Sequence, residues 1–190
     1  MALVVTQPPT VFPVTLAEAK THLRVRTTSE DNYISSLVEV AHRYVWSYTG
    51  QIWGEGEVKE YLDAFPECCT IELTAAPVGA LVDFEYKNTA GTLTEVDAAV
   101  YAFDEISVPA RIVRKEGQSW PETQKVPNAV AITYTVGMEP DDVPATIKQA
   151  MLLYIGFLYE NREDIPVNET NNPRIRSVDN LLNPHRLWRI

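Results

Sequence analysis

Residues 143–164, VPATIKQAMLLYIGFLYENRED, decide how this chain is read. Pro144 stands where a helix can begin, because its missing N–H costs nothing in the first turn. Asp141 and Asp142 precede it, at what would be the positive end of the helix dipole. They could also chelate a cation, although capping is the simpler use of the pair. Ile147, Ala150, Met151, Tyr154, Ile155 and Leu158 recur at three- to four-residue spacing and mark one face. Leu152, Leu153, Phe157 and Tyr159 cover much of the remainder. A helix apolar on nearly every side must be covered on several sides, by its own domain or by a partner subunit. Lys148, Gln149 and the charged end of the stretch argue against a membrane span.

Two further helical patterns stand upstream. Thr15 and Glu18 have the spacing of a capping box, opening a helix over 15–24 that buries Leu16, Ala19 and Leu23. A second helix is predicted over 29–49, with Ile34, Leu37, Val38, Ala41, Tyr44, Val45 and Tyr48 on one face and Gly50 at the stop. Between 52 and 137 the period changes from 3.6 to 2. Residues 58–62, 70–73, 82–87, 92–96, 111–114 and 130–136 read as strands, with Pro66, Pro77, Pro109, Pro121 and Pro127 at loop positions. The period returns to 3.6 at Pro144 for the third helix, 144–163.

The expected fold is α+β: a bundle of three main helices, an inserted antiparallel β sandwich or barrel, and an extended C-terminal tail. Its parts are an extended arm (1–14), a helical core (15–51 with 138–164), the β insertion (52–137) and the tail (165–190). Val178, Leu181 and Leu182 form a short amphipathic piece within that tail.

Composition narrows function. With 190 residues, 45% of them hydrophobic, the chain can build a sizeable core. Its formal net charge of −10 excludes nucleic-acid binding by phosphate neutralisation, which needs a basic footprint. The tail is the exception, carrying Arg174, Arg176, Arg186 and Arg189 against Asp179. Adjacent Cys68 and Cys69 suit free thiols in a strand rather than a disulfide or zinc site. Residues 1–13 show no secretory pattern, so a reduced cytosolic chain is expected.

Catalytic signatures are missing from the sequence. His22, His42 and His185 fall on separate elements and begin no metal-binding pair, and no Walker, GxGxxG or GxSxG pattern occurs. The acidic side chains are scattered, and none is singled out as a glycosidase pair. Neither cofactor nor metal is expected. Trp120, in a Gly/Pro loop, either plugs the end of the β domain or stacks on a sugar or base. Trp188 lies with Leu187 and Ile190 among arginines at the terminus. Such a segment either docks on another protein or packs back onto its own helices.

An ordered series of short motifs carries a resemblance. The segments PVTLAEAKTHLRV (13–25), Glu30-Asp31, YISSL (33–37) and AHRYVWSYTG (41–50) come first. GQSWP (117–121), PNAV (127–130), YTVG (134–137), VPATIKQA (143–150), YENRE (159–163) and LLxPxRxW (181–188) follow. Together they resemble the head–tail connector (adaptor) family of tailed bacteriophages, in its longer branch with a β insertion, also found in phage-like gene transfer particles. The glycine-rich stretch at 53–56 and the long segment before Pro13 depart from the pattern.

The resemblance implies a structural protein, not an enzyme, made in the bacterial cytoplasm and placed in the particle neck. It implies a homo-oligomeric ring, a dodecamer, below the portal protein, with a stopper or tail component beyond it. Genomic DNA passes through such a ring without specific binding, and no membrane is involved. Leu152, Leu153, Phe157 and Tyr159 are the expected subunit-interface residues. Arg174, Arg176, Arg186, Leu187, Trp188, Arg189 and Ile190 are the expected portal-docking residues, poorly fixed until the portal orders them. Competing readings are a carbohydrate-active or other β-domain enzyme with helical flanks, marked by convergent carboxylates in a cleft, and another neck component such as a stopper or tail terminator, marked by a mostly β fold.

Overall fold

The computed structural model describes residues 2–162 and 173–187, with side chains in the second stretch from Arg176 onward. The chain forms two compact units, one from 1–10 with 55–137 and one from 11–54 with 138–190.

The second unit is helical. Helix α1 spans Leu16–Leu23, α2 Asp31–Thr49, α3 Ala145–Glu160 and α4 Pro173–Leu182, followed by a 3-10 turn at Asn183–His185. The capping box at α1 is formed. Thr15 Oγ1 accepts the Glu18 N–H at 3.2 Å, and Glu18 Oε2 accepts the Thr15 N–H at 2.7 Å. Helix α2 ends as expected at Gly50, whose φ of 73° suits glycine and whose N–H reaches the Trp46 carbonyl at 2.8 Å. Pro144 occupies the N-cap of α3, and no side chain caps that helix, so the capping role expected of Asp141 and Asp142 is not realised. Ile34, Leu37, Val38, Ala41 and Val45 of α2 pack with Ile147, Ala150, Met151 and Ile155 of α3 in one core.

The helical unit differs from a three-helix bundle with a loose tail. Helix α4 packs against α3 and touches α2. Val178 and Leu182, one turn apart, are fully buried in the same core. Amphipathic spacing explains this. Val178, Leu181 and Leu182 share one face, and burying them offsets the cost of ordering a ten-residue helix that would not form alone.

The first unit is all β. Strands β1 (Ala2–Gln7), β2 (Gly56–Leu62), β3 (Thr70–Glu72), β4 (Val78–Lys87), β5 (Leu93–Glu95), β6 (Tyr101–Asp104), β7 (Arg111–Arg114) and β8 (Val130–Val136) form two antiparallel sheets. One has the order β1-β2-β8-β4-β5, the other β3-β7-β6. Central β8 is buried along nearly its whole length. Phe84 of β4 meets Tyr101 of β6 edge-on at 5.1 Å, bringing the sheets into contact.

Two strands were not expected. Residues 1–14 read as an arm, but Ala2–Val5 pair with 58–61 of β2, making β1 part of the sheet. It shows no alternation because it lies at an edge with little buried on either face. Strand β6 is four residues long, and its sequence YAFD does not alternate apolar with polar residues. Cys68 and Cys69 are free and exposed, in the loop ahead of β3 rather than within a strand.

A buried carboxylate ties the β unit together. Glu60 on β2 is fully buried and accepts the Tyr134 hydroxyl at 2.8 Å, the Thr74 N–H at 3.0 Å and the Thr74 hydroxyl. The Tyr134 oxygen in turn accepts the Ala75 N–H at 3.1 Å. The carboxylate thereby joins β2 and β8 to the segment after β3, satisfying groups that burial would otherwise leave unpaired.

Candidate assembly surfaces

Helix α3 was the expected source of a subunit interface, and the four residues named for it separate. Phe157 is 5% exposed, buried within its own chain, so it is withdrawn from that role. Helix α4 packs on α3, so part of the cover that sequence periodicity left open between the chain's own domain and a partner subunit comes from the chain itself. Leu152 and Leu153 are half-buried at the margin of the helical core. Tyr159, also half-buried, donates its hydroxyl to Glu30 Oε2. Arg162 bonds the other Glu30 oxygen at 2.6 Å and lies 4.7 and 4.8 Å from the ring centroids of Tyr33 and Tyr159. The Tyr159 hydroxyl first, and then Arg162, hold the Glu30 carboxyl below its ordinary range. This cluster ties the start of α2 to the end of α3. Sequence reading missed it because Glu30 and Arg162 are 132 residues apart.

The C-terminal segment was expected to be poorly fixed. From Arg176 to Leu187 it is instead fastened to the helical unit. Tyr44 donates to Asp179 at 2.7 Å and Tyr48 to Asn183 at 2.8 Å. Burial, and then Asp179, raise the Tyr44 phenol above its ordinary value. The Gln51 amide donates to the His185 carbonyl at 2.5 Å, the His185 ring pairs with the Thr146 hydroxyl at 2.7 Å, and the Leu187 N–H reaches the Thr49 carbonyl at 2.9 Å. Arg186 lies 5.5 Å from the Tyr48 ring centroid, while Arg176 is exposed. Back-packing, one of the two readings of this segment, therefore describes it as far as Leu187. The expected docking residues Trp188, Arg189 and Ile190, and the side chain of Arg174, lie outside the described residues.

Two surfaces of the β unit stand out, of which sequence reading singled out only the one around Trp120. The β6–β7 connection carries Ile106 and Val108, 89% and 68% exposed, the most open large aliphatics among the described residues. Asp104 braces it. Its Oδ1 accepts the N–H groups of Ile106 and Ser107 at 3.2 and 3.1 Å, and its Oδ2 accepts the Ser107 hydroxyl at 2.7 Å and Arg111 Nε at 2.8 Å. The Ser107 hydroxyl and then Arg111 hold the Asp104 carboxyl at about 2. The available sequence signal was two β-branched residues in a loop just before Pro109.

The second surface surrounds Trp120, which stacks on Phe65 at 5.0 Å and meets Phe84 edge-on at 6.1 Å. Its indole N–H reaches the Cys68 carbonyl at 3.3 Å. It plugs the β unit, yet stays half-exposed at an open hollow of about 770 Å³ whose lining includes Phe65, Pro66, Arg114, Pro121 and Lys125.

Among the described residues, the three histidines and two cysteines do not come together in a metal-binding cluster. His42 is 3% exposed on α2, with Nε2 unpaired and its ring 5.1 Å from Phe12. Burial lowers it to about 4, with Arg43 adding to the effect. Among the described residues no group of three or more His, Cys, Asp or Glu is placed to hold a metal ion. No helix among them is long and apolar enough to cross a membrane.

Residues 13–78 match the phage gp6-like head-tail connector protein family. No curated relative matches the chain. Among solved structures, a chain in the neck of an empty gene transfer agent particle, computed with C6 symmetry, superposes with a TM-score of 0.81 at 22% identity, covering 100% of this chain and 97% of that one. A chain of the native gene transfer agent virion gives 0.79 at 22% identity, with the same coverage. A third, from the native neck computed with C12 symmetry, gives 0.79 at 21%, again with 100% and 97% covered. These likenesses extend over both the helical and the β unit.

Proposed function

We propose that this chain is a structural head–tail connector, forming a ring below the portal of a tailed phage or phage-like particle, extending the DNA channel and joining head to tail. The observation that carries this reading is a family match over the first two helices in a chain whose whole fold parallels a neck protein. Composition agrees with it. Like charge repels the duplex, so an acidic wall leaves packaged DNA free to move, where a basic wall would hold it.

The ring, twelve-fold as in the C12 neck, places copies of this chain head to tail, a contact that closes only at the correct rotation. Half-buried Leu152, Leu153 and Tyr159 remain the α3 residues proposed to meet a neighbour. The C-terminal end docks on the portal, with Leu187, Trp188 and Ile190 filling apolar pockets and Arg174, Arg176, Arg186 and Arg189 facing carboxylates. The anchored stretch up to Leu187 supports a rigid base from which that end projects. A stopper or tail component meets the opposite face of the ring. The role is structural and needs neither cofactor nor metal.

A cryo-EM map of the particle that produces this chain tests the reading. The chain is expected between portal and tail; its density elsewhere, or hydrolase activity abolished by replacing one carboxylate, overturns it. Portal docking has its own test. Deleting residues 188–190, with the fold checked by circular dichroism, is expected to abolish incorporation into portal-bearing capsids, since losing an interface Trp often costs about 2 kcal/mol or more. Normal incorporation removes the docking role.

A further inference from the structure

The β6–β7 hairpin presents a braced apolar tip at one end and an aromatic hollow at the other. The tip holds Ile106 and Val108. At the far end of β7, Arg114 lines the hollow, and the chain then runs through 115–119 to Trp120 and Pro121 on its wall. The length of β7 separates the two, about 10 Å at roughly 3.3 Å per strand residue. The tip cannot fill its own hollow.

We propose that the tip of one copy inserts into the hollow of a second copy of this chain. The proposal rests on the ring reading above and gives the β unit a part in closing that ring.

Three observations support it. First, Ile106 and Val108 stand open to solvent, and the loop that carries them is held in shape rather than folded back onto apolar surface. Four hydrogen bonds to the Asp104 carboxylate fix its path. A loop ordered before contact loses less entropy on binding.

Second, the hollow suits the tip. Its wall is the stacked Phe65–Trp120 pair with Pro66 and Pro121 beside it, and its volume of about 770 Å³ exceeds that of two aliphatic side chains. Tryptophan is among the residue types enriched at the energetic centres of protein contacts.

Third, the charges do not oppose the contact. With Asp104 paired to Arg111, the remaining charge at the tip is Glu105, while Arg114 and Lys125 stand at the hollow. Glu67 and Glu122 lie there too, so apolar burial supplies the attraction and the cations set orientation. Tip and hollow are different surfaces, so the contact is head to tail. Repeated around an axis it yields a ring, not a closed dimer.

Native thiols make the test direct. Cys68 and Cys69 are exposed beside the hollow, where Cys68 accepts the Trp120 N–H through its carbonyl and Cys69 Sγ accepts from Arg114 at 3.1 Å. Full-length protein carrying Val108→Cys is concentrated, oxidised with diamide and run on a non-reducing gel. Wild type serves as the control, and negative-stain imaging of the same sample reports rings.

The expected result is a ladder of covalent dimers, trimers and higher species that disappears when Cys68 and Cys69 are both changed to Ser. Adding Ile106→Asp is expected to reduce the ladder about tenfold or more, the effect of losing one aliphatic anchor. Dimers alone that persist without Cys68 and Cys69 mean tip-to-tip contact and overturn the proposal. Absence of a ladder also overturns it. Rings seen without a ladder leave the connector reading standing, whereas a ladder-forming chain found outside the neck in the particle map would sink that reading and leave this contact intact.

Discussion

His42 makes stability depend on pH in a window where few other groups titrate. Its ring is 3% exposed on α2, Nε2 has no partner, and burial lowers its pKa from an ordinary 6.5 to about 4. The unfolded chain therefore takes up a proton near pH 6.5 that the folded chain refuses until about pH 4. Between those values the unfolded state binds more protons, so stability is full above pH 6.5 and falls as pH drops toward 4. A proton bound by one state alone is worth about 1.4 kcal/mol for each pH unit crossed inside that window, so moving from pH 7 to pH 5 should cost the helical unit about 2 kcal/mol. Glu18 and Glu30, both held below the ordinary carboxylate value of 4.5, add their losses only at lower pH. The assay is urea unfolding followed by helical circular dichroism at pH 7, 6 and 5, for wild type and for His42→Leu, which keeps an apolar filling of similar size. Wild type should lose stability across this range, and the variant should lose far less. An NMR titration placing the His42 midpoint near 6.5, or equal pH slopes in the two proteins, would refute the reasoning.

Leu182→Ala should destabilise the chain by about 2–5 kcal/mol in thermal unfolding, because Leu182 is fully buried between α4 and the helical core; a loss under about 1 kcal/mol would mean that α4 contributes little. Glu60→Ala should cost about 1–3 kcal/mol in urea unfolding by leaving the Thr74 N–H and the Tyr134 hydroxyl short of an acceptor. Glu60→Gln, which keeps one acceptor oxygen, should recover part of that loss, and equal effects of the two substitutions would argue against a hydrogen-bonding role.

Local rules were legible in the sequence because they act over a few residues. The capping box at Thr15 and Glu18, the Gly50 stop, the apolar face of α2 and the run of β8 each depend on spacing within one element. The change of period near residue 52 and its reversal at Pro144 mark the helical and β stretches for the same reason. Tertiary structure decided what depends on partners far apart in the chain. Strand β1 joins the sheet through a ladder with β2 more than fifty residues away, and exposure on both faces erases its period. Helix α4 is a helix with a place because α3 and α2 receive Val178 and Leu182; three apolar positions alone could as well have belonged to a loose tail. Phe157, proposed for a subunit contact, is likewise buried within the single chain. The apolar pattern of α3 specifies that its faces be covered. Hydrophobic burial is non-directional, so the pattern alone does not distinguish cover by the same chain from cover by a neighbour.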